Sequence, residues 1–195
     1  MSSKEKILSA VKLNQPVLQL LPGIERLNAI QYDNNFLQFS TILKSIGGTV
    51  VEIKNTDEII EYVKNNFSNA QNFVTTLPEL TGIKMLDGHL APHFLENIEL
   101  AIVKSLFGVA ENGAVWLTDS EMKIRALPFI CQHLAVLLSK KDLVGNMHEA
   151  YNLIESDNYD FGVFIAGPSK TADIEQSLVL GAHGPKTMTV FVTAE

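Results

Sequence analysis

Glu111, in "VAENGAVWL", has the most direct route to chemistry in this sequence. Asn112-Gly113 is a turn pair that suits positive φ, and such a turn can aim the glutamate into a cleft. A positioned, desolvated carboxylate serves there as nucleophile or base. The same side chain can also cap the turn or pair with a basic neighbour. A second stretch, "FIAGPSKTADIEQSLVLGAHGP" from Phe164 to Pro185, combines an apolar run with two glycine turns. Its spacing predicts a buried strand ending at Gly167 and a helix beginning near Thr171. Ser169 or Thr171 would be the N-cap, with Asp173 in the first turn. Free backbone N–H groups and the dipole at such a strand-to-helix turn favour an anion. The Ser169 and Thr171 hydroxyls and the Lys170 ammonium would add to that preference, although these polar residues can also simply cap the helix. "GPSKT" is no P-loop, since it lacks the four-residue spacing and the second glycine before the lysine. His183, between Gly181 and Gly184, is either a ligand contact or a turn residue.

Other candidates are weaker. Arg125 in "MKIRALPF" can grip a carboxylate through two parallel hydrogen bonds, or stand alone on a surface loop. His133 in "ICQHLAV" reads as a histidine of the core or strand edge, or as a base. His89 and His93 are four apart, but Pro92 between them argues against a regular helix, so no metal site is expected. His148 reads as solvent-facing on an amphipathic helix. Cys131, the one cysteine, lies in an apolar run and reads as a buried thiol; a single cysteine excludes an intrachain disulfide and a cysteine-ligated iron–sulfur cluster.

These residues need a scaffold, and the hydrophobic pattern supplies one. Ser2 and Glu5 form a capping box for a helix carrying Ile7, Leu8 and Val11, followed by an arm limited by Pro16 and Pro22. Residues 1–26 therefore read as an N-terminal helix and arm, and 27–195 as one domain. A helix carries Phe36, Phe39, Leu43 and Ile46 and stops at Gly47-Gly48. "TVVEI" is then a strand, followed by a helix with Ile59, Ile60, Val63 and Phe67. "NFVTT", "ELAIVKS", "GAVWLT", "HLAVLLS", "FGVFIAG" and "TMTVFVT" read as further strands. A helix with Leu143, Met147, Tyr151 and Ile154 precedes "FGVFIAG". Alternating strands and helices imply an α/β fold: a mostly parallel or mixed sheet with helices on both faces.

The bulk numbers agree with a globular domain. The chain has 195 residues, 46% of them hydrophobic, and a formal charge of −7. That balance disfavours a nucleic-acid surface, which needs clustered Lys and Arg. No apolar stretch approaches a membrane span, and the N-terminus has no signal-peptide core. The expectation is a soluble cytoplasmic protein.

"GPSKTADIEQSLVLGAHGPKTMTVFV" resembles the terminal signature of the LUD-domain family, of the lactate utilization protein C type. "KEKIL", "ILKSIGGTVVEI", "AENGAVWLT" and "LPFICQHLAVLL" extend the likeness over most of the chain. The resemblance implies the fold shared by sugar-phosphate isomerases and CoA transferases. It also implies a non-redox component of a lactate oxidation system, working beside iron–sulfur and cysteine-rich subunits, with no cofactor of its own and with scope for homo-oligomers. It raises Arg125 and His133 as contacts for a small organic anion. The family usually has threonine at the position of Asn112. Glu111-Asn112-Gly113 resembles instead the turn that carries the nucleophilic glutamate of CoA transferases, which implies an alternative: a stand-alone small-molecule enzyme using Glu111. Ala110 departs from the serine of that pattern.

Overall fold

The computed structural model describes residues 2–20, 29–67, 71–154, 159–174 and 177–194. Helix α1 (Ser3–Leu13) is closed by the expected capping box, in which the Ser2 hydroxyl accepts from Glu5 N–H and the Glu5 carboxylate accepts from Ser2 N–H. The arm beyond Leu20 lies partly outside the described residues. Helix α2 (Asn35–Ser45) starts at Asn34, whose side chain accepts from Leu37 N–H, and Gly47 follows it at φ +89. Strand β1 (Thr49–Ile53) leads to α3 (Asp57–Asn66). The Asn55 side chain caps α3, accepting from the N–H groups of Asp57 and Glu58.

Next come β2 (Phe73–Thr75), the two-residue β3 (Lys84–Met85), a 3-10 turn at Pro92–Leu95 and β4 (Leu100–Lys104). Strands β5 (Phe107–Val109) and β6 (Ala114–Thr118) flank the Glu111 turn. Short helices α4 (Asp119–Met122) and α5 (Leu127–Ile130) precede β7 (His133–Ser139). The chain continues through β8 (Leu143–Val144), α6 (Met147–Ile154), β9 (Gly162–Ile165), β10 (Lys170–Ile174), β11 (Ser177–Leu180) and β12 (Thr187–Thr193).

Six strands form one sheet in the order β1-β12-β7-β4-β2-β3, every pair parallel. The apolar runs explain this arrangement, because a parallel strand covered on both faces can be hydrophobic throughout. In β7, Leu134, Val136 and Leu138 face one side while Ala135 and Leu137 face the other. Helix α3 covers the second side with Ile59 and Val63. The first side meets Phe39 and Leu43 of α2, and also Val115 and Leu117 of a second sheet. Each such buried side chain contributes about 1.5–3 kcal/mol of apolar transfer.

That second sheet, β8-β5-β6-β9, is mixed, and the sequence pattern did not announce it. Its outer face carries Phe107, Val109 and Trp116 against Ala150 and Ile154 of α6. Strand β9 belongs here, antiparallel to β6, and its residues are only half-buried.

The expected helix after Thr171 is absent. Strands β10 and β11 instead pair antiparallel, with Thr171 opposite Val179. Ala172 favours helix, but Thr171, Ile174 and Val179 are β-branched and pairing prevails. Thr171 and Asp173 therefore lie in a strand, and Gly167 opens no helix N-terminus. No helix among the described residues is long and apolar enough to cross a membrane.

Candidate functional site

The structure separates the residues expected to meet. Glu111 sits in the β5–β6 turn, where Gly113 has φ +70. Its N–H donates to Gly145 O at 3.0 Å, and its carboxylate accepts from Met147 N–H at 2.9 Å. Asn146 also caps this end of α6, its side chain accepting from Glu149 N–H at 3.1 Å. Glu111 is thus the second, long-range cap of α6 and stabilises a helix N-terminus electrostatically. Gly167 lies toward the same end of the second sheet, since Ile165 pairs with Val115. Its φ is +71 and a Cβ there would stand 3.1 Å from Ile46 O, so glycine lets the chain pass the end of α2. Lys170 reaches the same place, its ammonium donating to Ile46 O. That contact complements the negative end of α2.

Arg125 lies at the opposite end of the second sheet, beyond Thr118. It reaches Asp119 Oδ2 at 3.4 Å and covers the Phe161 ring at 5.4 Å. Five residues of β6, at about 3.3 Å each, separate the two ends. Arg125 and the Gly167 turn therefore serve different corners. His183 is exposed in the turn before Pro185.

Ser169, by contrast, is tied toward His133. Ser169 N–H donates to Pro185 O (2.9 Å), Lys186 N–H to Gln132 O (2.7 Å), His133 N–H to Glu99 O (2.7 Å) and Glu99 N–H to Asn72 O (3.0 Å). These bonds run along the amino-terminal edge of the large sheet, where β12, β7, β4 and β2 begin. Register places Thr187 beside His133, and His133 Nδ1 lies 2.8 Å from Thr187 Oγ1. Phe67 packs on the imidazole at 5.0 Å between ring centres. Lys186 Nζ donates to Gln132 Oε1 at 3.1 Å. The side chains of Gln71, Asn72, Asn97 and Gln132 border an adjoining depression of ≈ 400 Å³, together with Glu96 and Glu99.

The protonation states follow from these surroundings. Burial, and then the Lys186 charge, hold the His133 pKa below its ordinary 6.5; Glu99 opposes them. The imidazole is therefore neutral at neutral pH and offers one donor and one acceptor. Backbone N–H groups of Gln71 and then Asn72 hold the Glu99 carboxyl below its usual range, so it is ionised. Burial pushes the Cys131 thiol up to about 12, which makes it a poor thiolate. A lysine, a neutral histidine and a threonine hydroxyl thus stand beside Gln132, one of the residues that line the depression. This set can bind a small carboxylate and hydrogen-bond its hydroxyl or carbonyl group. Lys186, Thr187 and Gln132 were not singled out from the sequence. The available signal was register, since each stands at or just before the start of a strand beside His133.

Comparisons with known proteins agree with this architecture. The LUD domain matches residues 91–193, a span that includes Glu111, Arg125, His133 and the whole of β9 to β12. Lactate utilization protein C of Bacillus pumilus is 37% identical over 102 residues, covering 46% of this chain and 42% of that protein. The chain thus matches less than half the length of that relative. Lactate utilization protein C of a Geobacillus species is 26% identical over 208 residues, covering 99% of this chain and 80% of the relative. A DUF162 family protein from Deinococcus radiodurans superposes with a TM-score of 0.61 over 82% of this chain and 96% of its own, at 16% identity. That likeness shows the fold. With more than half its length matched by the domain, this chain belongs to the LUD-domain family.

Proposed function

We propose that the chain is a component of a lactate utilization system and that it holds a small organic anion at the amino-terminal edge of the large sheet. The name shared by relatives from Bacillus pumilus and Geobacillus supports the first half. The single observation that carries the second is the grouping of Lys186, His133 and Thr187 beside a depression lined by Gln71, Asn72, Asn97 and Gln132 and by Glu96 and Glu99. A 2-hydroxy acid fits this chemistry: Lys186 meets the carboxylate, and the neutral imidazole meets the 2-hydroxyl group. Thr187 fixes the ring, as second partners commonly do for a working histidine. Electrons pass to iron–sulfur and cysteine-rich partner subunits, because one buried cysteine supplies too few thiolates for a cluster. In this reading Glu111 keeps its structural task at α6, and Arg125 plays no part in the anion's binding.

Growth on L-lactate tests the role. In a strain lacking its native copy, the wild-type chain and Glu111→Gln restore growth, and Lys186→Met does not. Tagged wild-type chain carries the iron–sulfur subunits through purification. Full growth with Lys186→Met removes the anion site from this account; no growth dependence on the chain at all removes the lactate role.

A further inference from the structure

Lys186, Gln132, Glu99 and Asn72 each stand one residue before the first paired residue of β12, β7, β4 and β2. Bonds from Lys186 N–H to Gln132 O and from Glu99 N–H to Asn72 O carry the parallel alignment back to these positions. The edge therefore presents a row in the order cation, amide, carboxylate, amide, on strands about 4.8 Å apart. Gln132, Glu99 and Asn72 line the depression, and Lys186 Nζ joins them through Gln132 Oε1 at 3.1 Å.

Glu99 is the member of this row that is held ready for one kind of partner. Its Oε2 accepts from Gln71 N–H at 2.5 Å and from Asn72 N–H at 3.1 Å. Its Oε1 has no hydrogen-bond partner among the described residues. The two backbone donors keep the carboxyl ionised, and an ionised carboxylate accepts hydrogen bonds but donates none. The neutral His133 imidazole and the Gln132 amide each offer a donor and an acceptor, so they serve a hydroxyl or a carbonyl alike. Glu99 does not: a hydroxyl donates to Oε1, whereas a carbonyl oxygen meets it lone pair to lone pair.

We infer that Glu99 selects the oxidation state of the acid held at the anion site proposed above, on which this reading rests. A 2-hydroxy acid is accepted through a hydrogen bond from its hydroxyl to Glu99 Oε1, and the corresponding 2-oxo acid is turned away. Such a charge-assisted bond is stronger than one between neutral groups. A site that hydrogen-bonds a substrate hydroxyl also rejects the analogue without the donor, because its own polar group is left unpaired. Lys186 draws the carboxylate end away from Glu99, since the two stand two strands apart, about 10 Å at the backbone. Glu96 adds a second carboxylate to the lining and so reinforces the preference for a donor.

Titration calorimetry of the full chain with L-lactate and with pyruvate reads this choice as a ratio of dissociation constants. The wild type binds L-lactate at least tenfold more tightly than pyruvate. Glu99→Gln keeps one oxygen for the N–H groups of Gln71 and Asn72 and turns an NH2 donor to the depression. Its ratio falls to threefold or less, with pyruvate binding strengthened. A variant that weakens both acids together and keeps the wild-type ratio overturns the inference. Should Glu99→Gln fail to fold, 2-methoxypropionate decides on the wild type alone. That acid keeps the 2-oxygen but has lost its proton, and it binds no better than pyruvate; binding equal to L-lactate overturns the inference. Equal wild-type affinity for L-lactate and pyruvate overturns it too, while leaving the anion site in place. Binding of neither acid removes the anion site, and this selection with it.

Discussion

The amino-terminal edge of the large sheet and the turns of the second sheet both carry charged and hydroxyl side chains, but they use them differently. In the second sheet the polar groups complete secondary structure. Glu111 caps α6, and Asn112 Oδ1 accepts from Ala114 N–H. Lys170, at the start of β10, caps α2. At the amino-terminal edge Glu99 also accepts from the N–H groups of Gln71 and Asn72, but the side chains of His133, Lys186 and Thr187 bond to one another or to an amide side chain. A side chain that completes a helix end loses stability when it turns to a ligand. One whose backbone is already satisfied loses little. The difference leaves the side chains at the edge less committed to the fold than the Glu111 carboxylate.

Substitutions can break this contrast or sharpen it. The largest stability effect belongs to the second sheet as a packed wall. A Cβ at Gly162 would lie 2.2 Å from Trp116 Cζ2, so Gly162→Val overpacks the Trp116 face and costs about 1–3 kcal/mol. Thermal unfolding reads this as a fall of several degrees, and an unchanged midpoint would mean that the sheet yields freely. Glu111→Ala removes a cap and costs about 1 kcal/mol, read by urea unfolding, with ligand binding intact. Equal stability but lost binding would return Glu111 to the site.

His133 gives a pH signature. Its folded pKa is lowered relative to the unfolded chain. The unfolded state therefore binds the proton more readily, and stability falls as pH drops below about 6.5. His133→Asn flattens part of that decline between pH 7 and 5, measured by denaturation midpoints; an identical slope in both proteins would place the imidazole in water. The smallest effect is Arg125→Ala. Its pair with Asp119 is 3.4 Å long and its side chain is 55% exposed, so the change stays within about 0.5 kcal/mol. A larger loss in calorimetric unfolding would give that corner more weight than the contrast allows.

Much of this fold was legible because burial leaves a pattern. "HLAVLLS" read as a strand covered on both faces and "TMTVFVT" as a strand, and the two are neighbours in the interior of the large sheet. The periodicity of Phe39 and Leu43, and of Ile59 and Val63, placed α2 and α3. The second sheet was less legible, since β5 has three residues and β8 two, too few for any period to show. Strands β10 and β11 were misread as a helix because helix-forming and β-branched residues compete there, and only pairing between the strands decides. The site suffered from the same cause. His133 was visible as a histidine leading an apolar strand, but its neighbours Thr187 and Lys186 come from more than fifty residues away by parallel register. Hydrophobic periodicity carries no information about register between distant strands. The Glu111 turn was correctly seen as a turn, while its partner Met147 N–H was not visible from the residues around it.

Titration calorimetry with L-lactate and pyruvate on the wild type, Lys186→Met and Glu111→Gln tests the central claim most directly. The account predicts saturable binding of at least one of the two acids to the wild type, matched within twofold by Glu111→Gln and weakened at least tenfold in Lys186→Met. Binding that survives Lys186→Met but disappears with Glu111→Gln would contradict it, as would a wild type that binds neither acid.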